Sequence, residues 1–248
     1  MIYTIGTYKI DIPEIISTAG RPRTPRQVVP WRDVAETCRT LDAVCSKIPS
    51  GRRPLKIVDG IARAGFWGAI FKERWPNCDL LLNEEDQECA DMLRDNFADD
   101  IKIESHSLAD WVPEVSDLIL LDFDAFTLKK LGEHQGILER LSPACKYMII
   151  AESACFGFKF GNIKHYGVET EEEYYALVDA QLYPVTGKSV LAVSKFCNAA
   201  MVLLGPDNGQ EIEYIQPTGL PVFRGGKPFI GDLERSQKAT KINEGFGL

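Results

Sequence analysis

Short apolar runs alternate with helix-length amphipathic segments through most of the chain, the pattern of parallel strands in βαβ units. Residues 1–16 alternate apolar and polar, which predicts a short strand or hairpin, and residues 17–30, rich in Gly, Pro, Arg and Thr, read as loop. Helical spacing of Val34, Cys38, Leu41, Val44, Cys45 and Ile48 predicts a helix over 31–48, ended by Pro49-Ser50-Gly51. Strands are then predicted at 55–58, 78–82, 101–103, 117–121 and 146–151, with helices near 66–75, 85–97 and 128–141. A glycine- and aromatic-rich loop, 156–167, precedes a helix opened by Thr170 as cap and three glutamates. Two apolar runs, 190–196 and 199–204, joined by Cys197-Asn198, predict a closing antiparallel hairpin, and 205–248 reads as a Gly- and Pro-rich tail laid over the domain. The expected organisation is an N-terminal strand, basic loop and helix (1–50), a central domain (51–205) and a tail (206–248).

Composition narrows this picture. The chain has 248 residues, 45% hydrophobic and 26% charged, enough to bury a sizeable core. No apolar run approaches the roughly 20 residues of a membrane span, and no signal-peptide layout opens the chain. Seven cysteines without a C-x-x-C pair fit reduced thiols and a cytoplasmic protein. His106, His134 and His165 have no ligand spacing, so no metal is expected. The net charge of −8 speaks against indiscriminate coating of nucleic acid. Residues 20–56 nevertheless hold nine Lys or Arg against three acids, so that segment is +6 and the remainder −14. A basic arm on an acidic body can touch phosphates locally, and Arg21, Arg23 and Arg26 are its expected RNA contacts; a solvated helix with basic flanks accounts for the charge equally well.

Three polar stations close three of the predicted strands: Asp59-Gly60, Asn83-Glu84 and Asp122-Phe123-Asp124-Ala125-Phe126. Ligands of open α/β sheets sit outside the carboxyl ends of the strands, so the stations outline one pocket. Their spacing suits S-adenosylmethionine (AdoMet). Small residues Gly60, Ala62, Ala64 and Gly65 let backbone approach a ligand without phosphates, and an acid at Glu84 can accept from ribose hydroxyls. A carboxylate at Asp124 can take the N–H of an exocyclic base amine, Phe126 can stack on the base, and Asp122 can support that carboxylate. The expected cofactor contacts are Arg32, Asp59, Gly60, Ala62, Gly65, Asn83, Glu84, Ser107 and Leu108.

These residues resemble the tRNA guanine-N2 (di)methyltransferases over about 24–167. The resemblance lies in a first turn without G-x-G-x-G (Ile61 to Trp67), in Asn83-Glu84, in Asp122-Phe123-Asp124-Ala125-Phe126-Thr127, and in Pro25-Arg26 followed by Arg32-Asp33. Ala125 and Thr127 replace the family's Pro and Gly, and 248 residues are expected to be too few for its full C-terminal RNA-binding domain. The resemblance implies AdoMet contacts at Arg32, Glu84 and the turn after Asp59, with Asp124 and Phe126 at the target amine. Five predicted parallel strands with helices and a closing hairpin match an α/β, Rossmann-like class I methyltransferase fold: a mostly parallel central sheet, an antiparallel C-terminal hairpin and helices on both faces. The expected activity is N-methylation of an RNA base; methylation of DNA, protein or a small molecule, and a non-catalytic scaffold, are the rival readings.

Overall fold

The computed structural model describes residues 2–14, 16–18, 21–23, 34–49, 51, 53–97, 101–126, 128–152, 166–196 and 199–215. An eight-stranded sheet organises them. Its strands are β5 (Lys56–Asp59), β6 (Asp79–Asn83), β7 (Lys102–Glu104), β8 (Ser116–Phe126), β9 (Cys145–Glu152), β10 (Ser189–Phe196), β11 (Ala199–Gly205) and β12 (Glu213–Ile215), in the spatial order β12-β10-β11-β9-β8-β5-β6-β7. Neighbours pair in parallel except where β11 runs antiparallel to both β9 and β10. The predicted closing hairpin therefore puts its second strand inside the sheet, with the first outside it.

The apolar runs are continuous because the sheet is covered on both faces. Along β8, Leu118 and Leu120 join one buried cluster while Ile119, Leu121 and Phe123 join the other. The first cluster packs under α1 (Val34–Cys45), α2 (Phe66–Arg74) and α3 (Gln87–Asn96); the second packs under α4 (Leu131–Leu141) and α5 (Glu171–Thr186). A hairpin, β1 (Ile2–Ile5) and β2 (Tyr8–Asp11), adds Ile5 and Ile10 to the first cluster and is tied to α2 where Glu73 accepts from the Thr7 amide at 2.6 Å.

Predicted boundaries hold to within one or two residues for β5, β6, β7, β9 and the helices α2 and α3. The predicted Thr170 cap is a full capping box, with Glu173 reaching back to the cap backbone. Four differences have local causes. Residues 17–18 and 21–23, read as loop, join Ile16 in a two-stranded ribbon (β3, Ile16–Thr18; β4, Arg21–Arg23) in which the β-branched Ile16 and Thr18 pair with Arg23 and Arg21. The described part of the first predicted helix spans Val34–Cys45, and a turn over 46–49 replaces its last residues. Within the predicted tail, Glu213–Ile215 pairs in parallel with β10, extending the sheet by one strand. Strand β8 runs to Phe126, well past the predicted end at 121. Its regular pairing with β9 does stop at Leu121↔Ile150, and a register shift follows before Phe126↔Glu152.

Candidate active site

The chain leaves β5 for β6 and β7 on one side and returns at β8 on the other, so the carboxyl ends of β5 and β8 border the switch point where ligands of such sheets bind. Register brings the three stations level: Asp59 pairs with Leu82 and with Leu120, one residue before Asn83 and two before Asp122.

The turn after β5 is held from both neighbouring strands. Gly60 N–H donates to Leu120 O (2.9 Å), and Ala62 N–H donates to Asn83 O (2.9 Å). A side chain on Gly60 would come within 2.8 Å of Leu121 Cδ2 and 3.2 Å of Leu120 O, and 3.7 Å from Leu108 Cδ2. A larger residue would force the Leu121 side chain to move and crowd the Leu120 carbonyl. Gly65 caps the start of α2 at φ 89°, and its absent Cβ would collide with the ring of Phe97, the residue that follows α3. The predicted small residues thus let the turn approach the strands and helix around it.

Asn83 and Glu84 clamp the turn to the loop after β7. Asn83 Nδ2 donates to Gly60 O (3.2 Å) and His106 O (3.0 Å), while its Oδ1 accepts from His106 N–H (3.1 Å). Glu84 accepts from Arg63 N–H (2.7 Å) and Asp86 N–H (3.0 Å). The loop continues through Ser107, whose carbonyl accepts from Asp110 and Trp111, and Leu108, whose carbonyl accepts from Arg140 of α4. Ser107 and Leu108 are both half-buried. The predicted set Asp59, Gly60, Ala62, Gly65, Asn83, Glu84, Ser107 and Leu108 is therefore brought to one strand-end rim.

Three buried carboxylates gather at this rim. Burial pushes Asp59 well above the usual carboxylate range, an effect reinforced by the Asp122 and Glu84 charges and opposed by the Ile61 amide and Arg63. Its Oδ1 accepts from Ile61 N–H at 3.3 Å; Oδ2 is buried and meets no donor among the described residues. Asp122 is raised to about 6 by burial, against Arg63 and the indole of Trp67, which donates to Oδ2 at 3.2 Å. Glu84 is raised by burial against its two amide donors and Arg63. Two members of this arrangement escaped the sequence reading as site residues. Trp67 could have been found from the helical turn it shares with Gly65; Arg63, at φ 50°, had no sequence signal.

Asp124 and Phe126 lie on β8 beyond its register shift, and their side chains fall outside the described residues. Phe123 faces the opposite layer, where His134 in the first turn of α4 stacks on it with centroids 4.2 Å apart. Arg21 and Arg23 lie on β4, with side chains outside the description; Arg26 and Arg32 lie outside it altogether. Among the described residues no cluster of His, Cys, Asp and Glu could hold a metal ion, and no helix is long and apolar enough to cross a membrane.

No protein-family model matches the chain, and no curated protein matches it by sequence. Solved structures do resemble it. A SAM-dependent methyltransferase from Aquifex aeolicus aligns at TM-score 0.50 and 15% identity, covering 73% of this chain and 98% of that one. The fold is that of the class I, SAM-dependent methyltransferases. The mitomycin 7-O-methyltransferase MmcR (TM-score 0.49, 16% identity, 70% of this chain and 54% of that one) and human N-acetylserotonin methyltransferase in complex with SAM (0.46, 15%, 71% and 51%) also align. The aligned part spans about half the length of these two methyltransferases.

Proposed function

We propose that the protein is an AdoMet-dependent methyltransferase. The reading is carried by the carboxylate trio Asp59, Glu84 and Asp122 around a glycine-bearing turn at the switch point of this fold. AdoMet is a cation with a ribose, and the residues present fit it. An unpartnered buried oxygen on Asp59 suits an ammonium donor, and the three acids outnumber the one nearby guanidinium. When bound, AdoMet supplies a methyl group activated on a sulfonium.

The chain's residues would divide the remaining work. Glu84, with both oxygens held by backbone amides, is oriented to accept from ribose hydroxyls. Asn83 anchors the loop carrying Ser107 and Leu108 beside the turn. Asp122, fixed by Trp67, supports the chain segment leading to Asp124. Asp124 would accept the proton released by the acceptor, and holding acceptor and cofactor in line supplies most of the acceleration.

For the acceptor we propose an exocyclic amine on a planar base of RNA. The Asp124-Ala125-Phe126 segment favours it, combining a proton acceptor with an aromatic platform, and the +6 segment 20–56 favours a phosphate-bearing substrate. The test is transfer of labelled methyl from AdoMet to separate RNA, DNA, protein and small-molecule pools, beside Asp124→Ala. Label in RNA that disappears in the variant is expected. Label confined to small molecules would overturn the RNA assignment, and AdoMet binding without transfer to any pool would leave a scaffold.

A further inference from the structure

Arg63 is the non-glycine residue with positive φ among the described residues, at φ 50°. A left-handed backbone costs a side-chain-bearing residue about 1–2 kcal/mol, and such outliers gather where function demands them. Glycine would sit there without strain, and the turn already uses glycine at Gly60 and Gly65. The conformation is held by the Arg63 N–H on Glu84 Oε2 at 2.7 Å. Two residues earlier, Ile61 N–H binds Asp59 Oδ1 at 3.3 Å, so the same short turn is tied to two of the three carboxylates. The third, Asp122, is fixed by Trp67, four residues after Arg63. The half-buried Arg63 is thus a cation built into an acidic rim, and its charge favours the ionised form of all three acids.

We propose that Arg63 is a specificity-determining residue: its guanidinium balances the carboxylate rim and, by like-charge repulsion of the sulfonium, narrows the preference for AdoMet over its neutral-sulfur product S-adenosylhomocysteine. The inference rests on reading the rim as the AdoMet site. Both ligands share the same ammonium, carboxylate and ribose. They differ in the methyl group and the positive charge at sulfur, and the charge-keeping Arg63→Lys variant separates those two contributions.

The test is calorimetric titration of AdoMet and S-adenosylhomocysteine into the full-length protein and into Arg63→Gln, Arg63→Gly and Arg63→Lys. Loss of the guanidinium in the Gln and Gly variants is expected to shift the ratio of the two dissociation constants about tenfold towards AdoMet, the scale of a charge–charge interaction at a largely solvated rim. Arg63→Lys, which keeps the charge, should leave the ratio within twofold of the original. Arg63→Gly also relieves the backbone, so its agreement with Arg63→Gln separates charge from strain. An unchanged ratio in both neutral variants, including equal loss of both ligands through a shared carboxylate contact, overturns the proposal. Failure of the unaltered protein to bind either ligand would instead defeat the AdoMet reading itself.

Discussion

The indole N–H of Trp67, in the first turn of α2, donates to Asp122 Oδ2 across 3.2 Å, with both side chains buried. This bond crosses from helix to strand beneath the turn that carries Gly60 and Arg63. It gives a buried carboxylate one donor of its own, while burial still holds Asp122 near 6.

A carboxyl raised in the folded state stabilises the fold most when protonated. The contribution of Asp122 is complete below its unfolded value of about 4 and is lost as pH rises through about 6. Asp122→Asn, which can still accept from Trp67, should therefore gain stability on the natural protein between pH 4 and 8, by at most roughly 3 kcal/mol. Urea unfolding at the two pH values measures this; a difference that does not vary with pH would contradict it.

Gly65 combines positive φ with a Cβ position filled by the Phe97 ring. Gly65→Ala should cost about 2–4 kcal/mol, strain and overpacking together. Phe97→Ala in the same chain should recover part of that loss, because the ring is one of the two causes. Chemical denaturation of the single and double variants checks it, and strict additivity would show that the ring is not involved.

Glu84 holds the Arg63 and Asp86 amides and faces the proposed ribose position. Glu84→Ala is expected to weaken AdoMet binding at least about tenfold, the scale of a lost hydrogen bond to a charged group. Isothermal titration reads the affinity, and circular dichroism checks that the fold survives. Unchanged affinity would remove Glu84 from the cofactor site.

Thr170 caps α5 by accepting the Glu173 amide at 3.1 Å, while Glu173 accepts from the Thr170 amide at 3.2 Å. Thr170→Ala should cost about 1 kcal/mol, measured by denaturant midpoint, with AdoMet affinity unchanged. A larger loss accompanied by weaker AdoMet binding would tie this helix end to the site.

Much of this was legible in the residue order because its causes are local. Continuous apolar runs such as Leu118–Leu121 mark strands covered on both faces, Thr170 and Glu173 spell a cap, and polar residues following apolar runs mark strand ends. Those signals located Asp59, Asn83 and Glu84 at the rim. Tertiary structure decided what depends on distant partners. The β8 register shift past Leu121 is set against β9, and β11 finds its place between β9 and β10. Strand β12 exists because β10 offers it an edge. The Trp67–Asp122 bond and the left-handed Arg63 arise only when α2, β6 and β8 converge on one turn. Periodicity reports which face of an element is buried; which residues meet across elements follows from packing, and the site's charge balance lies there.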